Sequence, residues 1–151
     1  MSCKWNDQKS IILTRVVVAA AIAGCAVMTV CGPWLTRWMV SAHALPPASG
    51  SVLLGMGYVC AVLAFVMLVS LYKFLRRIEA GAVFVPANVT ALRRISWCCA
   101  GAAVVCLAAA YIYLPFVFLG VAAAFMALIV RVLKNAFAQA VRMKDELDYT
   151  I

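Results

Sequence analysis

Four long apolar stretches, separated by short charged ones, set the pattern of this chain. About 20 apolar residues in helix cross a ~30 Å hydrocarbon core, and four such spans are predicted, at residues 16–35, 52–72, 95–114 and 115–133. The last two form one apolar run from Ile95 to Leu133, too long for a single crossing. Proline removes a backbone donor and restricts the residue before it, so a hairpin at Ile112-Tyr113-Leu114-Pro115 is the natural break. The expected fold is all-α: a single integral membrane domain over residues 1–151, with a charged connector at 73–94 and a helical extension at 134–151.

Composition agrees with that reading. The chain is 68% hydrophobic and 12% charged, with a mean hydropathy of +1.06, which excludes a soluble domain. Orientation follows from the basic residues, because Lys and Arg in short loops resist translocation. Of the 13 basic residues, all but Arg37 fall at the amino-terminal segment, the second connection or the tail. Both termini and the connector are therefore expected in the cytoplasm, in a multi-pass protein of a bacterial inner membrane. The five acidic residues, Asp7, Glu79, Asp145, Glu146 and Asp148, lie on the same side, so the net charge of +8 is no footprint of direct nucleic-acid binding. A basic rim facing anionic lipid accounts for it, with the lipid bilayer as the first partner.

Several local matches carry no chemistry. Ile22 to Cys25 (IAGC) has the form of a lipoprotein cleavage site, but the residues after it stay apolar and could not leave the membrane. Asn88-Val89-Thr90 fits a glycosylation acceptor on the wrong face, and KDEL at Lys144 to Leu147 is followed by four residues. The seven cysteines form no C-x-x-C pair and have no histidine close in sequence, so they are expected to pack rather than react. Cys98, Ala102, Cys106 and Ala110 recur every four residues, a small-residue seam on which a second helix can close.

The spans contain no Asp, Glu or His, and coupled transport needs such groups in the membrane. His43 falls in the expected external segment, residues 36–51, as a solvated histidine. Trp34, Trp38, Tyr111, Tyr113 and Phe116 fall where an aromatic belt would lie, with Trp97 near the opposite interface. Nothing specifies a catalytic residue, a cofactor or a metal, and the protein is expected not to be an enzyme.

The connector is where the sequence is most specific. Leu75 to Ala80 extends the second helix, Gly81 supplies a left-handed stop, Phe84 and Val85 precede Pro86, and Asn88 is expected to cap the next helix. Arg76 and Arg77, then Arg93 and Arg94, flank it, and Asp145, Glu146 and Asp148 in the tail complement them in charge. The stretch EAGAVFVPANVTALRRISW is similar to a connector R-x-G-x-P-F-x-x-x-N-x-x-x-L-R-x-I-G, and MKDELDYTI resembles the ending L-R-x-E-N-D-L-T-I. Both patterns come from the YoaS-like bacterial membrane family, domain of unknown function 2975. The matching positions are Gly81, Phe84, Asn88, Leu92, Arg93 and Ile95, then Glu146, Asp148, Thr150 and Ile151. Val83 stands where proline is usual, and Leu147 and Tyr149 replace Asn and Leu.

The resemblance implies a four-helix inner-membrane protein of unassigned activity, encoded beside a small helix-turn-helix regulator. The resulting expectation is a non-enzymatic membrane protein whose cytoplasmic face docks such a transcriptional regulator, with a homo-oligomer also allowed. The docking or tail-docking residues would be Arg76, Arg77, Glu79, Gly81, Phe84, Asn88, Arg93, Arg94, Asp145, Glu146, Asp148, Thr150 and Ile151. The alternative is a carrier or channel subunit for a small apolar or lipid-like molecule.

Overall fold

In the computed structural model, which describes residues 2–43 and 46–149 (the side chains of 2–11, 47 and 148 excepted), the chain is all-helical. The helices are α1 (Ser2–Ala42), α2 (Pro47–Glu79), α3 (Pro86–Ala109) and α4 (Phe116–Tyr149). Each contains a segment long and apolar enough to cross a membrane: Ile12–Ala42, Ala48–Glu79, Pro86–Ala109 and Phe116–Leu147. The spans expected at 16–35, 52–72, 95–114 and 115–133 fall within these helices except for the turn at 110–115, and the helices run beyond them. A helix need not stop where its hydropathy does, because its hydrogen bonds are internal to the segment.

Successive helices run up and down. The amino-terminal half of α1 meets the end of α2, while the end of α1 meets the turn between α3 and α4. Neighbours in sequence pack as neighbours in space, α1 on α2, α2 on α3 and α3 on α4, and among the described residues α1 makes no close backbone approach to α3 or α4. The array is therefore open along one side of α1. One end carries the start of α1, the α2–α3 connector and the end of α4; the other carries the end of α1, the start of α2 and the turn at 110–115.

α3 is the packing centre. Ile95 and Cys99 on α3 form a buried cluster with Ala127 on α4, against which Met67 and Leu71 of α2 pack. Polar links follow the same geometry: Ser96 Oγ donates to the Ala127 carbonyl at 3.1 Å, and Cys99 Sγ lies 3.4 Å from Met67 Sδ. The small-residue seam is only partly the buried face, since Cys98 is buried while Ala102, Cys106 and Ala110 are half-buried. Two glycines let the helices approach. A Cβ on Gly101 would stand 3.3 Å from Leu63 Cδ1, and one on Gly120 would stand 2.7 Å from Leu107 Cγ and 3.2 Å from its backbone nitrogen.

The turn at Pro115 is as expected. Phe118 N–H donates to the Pro115 carbonyl at 3.2 Å, so the proline sits just ahead of α4, where its missing donor costs nothing. The other proline in an apolar span, Pro33, lies inside α1, which continues through it.

These contacts predict that Gly120→Val destabilises the α3–α4 pair by about 1–3 kcal/mol through overpacking, lowering the thermal unfolding midpoint in detergent. Gly24→Ala, with nothing near its added Cβ, should leave that midpoint almost unchanged.

Candidate functional site

The connector proper is six residues long, 80–85, and each of its bends has a local cause. α2 ends in a paired cap: Gly81 N–H donates to Ile78 O at 2.9 Å and Ala82 N–H to Arg77 O at 3.0 Å. That geometry needs a left-handed residue between the two donors, and Gly81 has φ +78°. Val85 is extended, at φ −125° and ψ 144°, as a residue before proline should be, and Pro86 opens α3.

Asn88 is not the helix cap. Pro86 starts the helix three residues earlier than expected, Val85 is the cap residue, and Asn88 lies in the first turn. Its side chain is fully buried and points back into the connector, where Nδ2 donates to Ala82 O at 2.9 Å and Val83 O at 2.8 Å. Both amide hydrogens are used, leaving Oδ1 without a protein partner. The burial also excludes Asn88 as a glycan acceptor. Arg77 adds a second tie across the connector, donating to Ala87 O at 3.0 Å.

Glu79, at the end of α2, finds its partner on the first helix. Glu79 pairs with Arg15 on α1 at 3.2 Å, and the Arg15 Nε also reaches Tyr72 Oη at 3.2 Å. Among the described residues no ion pair joins Arg76, Arg77, Arg93 or Arg94 to Asp145. Arg76, Arg93, Arg94, Asp145 and Glu146 are exposed, while the Asp148 side chain, Thr150 and Ile151 lie outside the described residues. An aromatic contact joins connector to α4. Phe137 on α4 stands edge-on to Phe74 of α2 at a centroid distance of 6.0 Å and beside Phe84 of the connector at 6.4 Å. Val141, one turn further, is buried. The carboxyl-terminal part of α4 is thus packed against α2 and the connector.

The opposite end holds a second constellation. His43 closes α1 rather than lying loose in solvent: its Nδ1 is 3.2 Å from Met39 O and its Nε2 is 2.8 Å from Tyr113 Oη. A carbonyl can only accept, so Nδ1 is the donor toward Met39 O, and the tyrosine hydroxyl completes the ring's second contact. Tyr113 in turn stacks edge-on against Phe116, with centroids 5.9 Å apart. Phe116 overhangs a cavity of about 350 Å³ between α1 and α2, lined by Met28, Met39, Leu53, Tyr58 and Ala61 among others. Thr29 lines it too, but its hydroxyl is bonded to Cys25 O at 2.7 Å. The cavity is apolar in character.

Arg15, Tyr72, Phe74, Phe137, His43 and Tyr113 escaped the sequence reading as contact residues. Arg15 and Glu79 were its best missed signal, being opposite charges at the same predicted membrane level. Among the described residues no three His, Cys, Asp or Glu side chains gather to hold a metal, and the described cysteines are free thiols.

A family model described as Protein of unknown function (DUF2975) matches residues 38–151. No curated protein and no solved structure matches the chain.

The connector analysis predicts an order of severity at position 88. Asn88→Ala leaves two carbonyls without their donor, at about 1–3 kcal/mol each if they stay buried. Asn88→Asp is worse, because it sets a carboxylate against both carbonyl oxygens. Thermal unfolding in detergent should rank the wild type above Ala and Ala above Asp.

Proposed function

This chain belongs to the family described as Protein of unknown function (DUF2975), and on that footing we propose that it is a non-enzymatic, multi-pass protein of the bacterial inner membrane whose cytoplasmic end docks a soluble partner. In this reading the start of α1, the connector and the end of α4 face the cytoplasm. The observation that supports it is that α4 stays helical to Tyr149 and packs against the connector through Phe137. A tail with no task beyond anchoring has no need of such bracing. Beyond the brace the helix presents Arg142, Met143, Lys144 and Asp145 to solvent, and Arg76 and Arg93 are exposed at the same end. A partner with an apolar contact ringed by acidic groups fits that surface. A helix-turn-helix regulator docked through a face other than its DNA-binding one is the proposed example, and the membrane protein itself contacts no nucleic acid.

The test is affinity capture of the tagged full chain from membranes in mild detergent. A cytoplasmic protein should be recovered with the wild type and fall by about tenfold or more with Met143→Glu combined with Asp145→Lys, as expected when a central contact is lost. Recovery of no cytoplasmic protein across several conditions contradicts the reading.

The cavity beneath Phe116 favours a second reading, a carrier or channel subunit for a small apolar or lipid-like molecule. Vesicles containing the protein would then move a fluorescent lipid analogue between leaflets faster than protein-free vesicles. Equal rates remove that option.

A further inference from the structure

A cavity of about 350 Å³ lies between α3 and α4 at the charged end, lined by Arg93, Ser96, Trp97, Ala100, Arg131 and Lys134. Three cations from two helices converge there, and no carboxylate is among the lining residues. Like charges brought together repel unless an anion lies between them. The site is also ordered in depth. Arg93, Trp97 and Ala100 follow one another along one face of α3, from the charged end toward the apolar span, with Arg131 and Lys134 one turn apart on α4. Trp97 is 66% exposed at the level where an indole favours the headgroup boundary, and Ala100 beyond it leaves room beside the helix. Ser96 has spent its proton on the Ala127 carbonyl, so the donors that remain are the two guanidinium groups, the ammonium and the Trp97 N–H.

We propose that this cavity binds the phosphate group of an anionic membrane phospholipid, held by Arg93, Arg131 and Lys134, with an acyl chain laid along Trp97 and Ala100. The chemistry shared with free phosphate is the oxyanion, which guanidinium groups clasp with paired N–H donors. What selects the lipid is the apolar continuation past Trp97, for which an inorganic ion has no use. A smaller cavity of about 240 Å³ on the other side of α3 also gathers Lys73, Arg77 and Arg94, but Arg77 is already engaged with Ala87 O and no aromatic residue continues it toward the span. The site does not depend on the docking reading, because anionic lipid is available to either end of the array.

The test uses the full chain with Trp5, Trp34 and Trp38 replaced by Phe, so that Trp97 alone reports, in phosphatidylcholine vesicles containing a minority of either brominated phosphatidylglycerol or brominated phosphatidylcholine. Brominated phosphatidylglycerol should quench Trp97 at a lower lipid fraction than brominated phosphatidylcholine. The preference should fall by about fivefold for each cation removed, reaching none in Arg93→Gln/Arg131→Gln/Lys134→Gln. The control Arg37→Gln/Arg142→Gln/Lys144→Gln, with the same loss of charge, should keep it, and Arg93→Lys/Arg131→Lys should keep part of it, which separates loss of the site from loss of the fold. Equal quenching by both lipids, or an equal loss in the control, overturns the proposal. So does full displacement of the brominated phosphatidylglycerol by millimolar inorganic phosphate, which would make the cavity a site for a soluble anion.

Discussion

A charge in hydrocarbon is expensive, about 2.5–3.5 kcal/mol for each Lys, Arg or Asp at the centre of an inserting helix, and this sorts the whole molecule. Four helices satisfy their backbones internally and leave their charged residues at the ends. Because the helices alternate in direction, nearly every charge collects at one end, and the few groups that must stay close to the apolar region are tied down there. Arg15 is the clearest case. It lies near the start of the apolar part of α1, and the structure gives it both Glu79 and the Tyr72 hydroxyl on α2, with the Tyr72 ring 5.4 Å from the guanidinium. One cation thereby links α1 to α2 at the charged end.

The same end is stiffened by means other than charge. Asn88 closes the connector on itself, Arg77 ties it to α3, and Phe137 joins it to α4. Exposed ion pairs contribute only ~0–1 kcal/mol, whereas aromatic pairs add about 0.5–1.5 kcal/mol beyond the area they bury. Bracing by phenylalanines uses none of the arginines. Several cations, Arg76, Arg93 and Arg94 among them, stay exposed at this end. At the far end a hydrogen bond from Tyr113 to His43 connects α1 to the α3–α4 turn, and Phe116 beside it lines the cavity between α1 and α2.

The parts of this architecture that depend on local chemistry were legible in the sequence. Hydropathy counted the helices, Pro115 marked the last turn, and Gly81 marked the end of α2, each because one residue type dictates one backbone outcome. The ends of the helices were not legible, since hydropathy measures the surroundings of a helix rather than its hydrogen bonding. Asn88 was singled out, but its role was misread: a side chain two residues past a helix start can aim at a connector whose path only the fold determines. The tail illustrates the same limit. Matching Asp145 to the arginines used sign alone, while an aromatic contact at the same end pairs Phe84, noted within the family motif, with Phe137. Nothing in spacing or composition links those two rings.

The central claim is that connector and both termini share the cytoplasmic side, and fusions of alkaline phosphatase, which is active only outside the cytoplasm, test it most directly. Enzyme activity after His43 and after Pro115, with none after Asn88 or Ile151, is the expected result. Activity after Asn88 or Ile151, or silence after His43, would contradict it and remove the proposed docking surface from the cytoplasm.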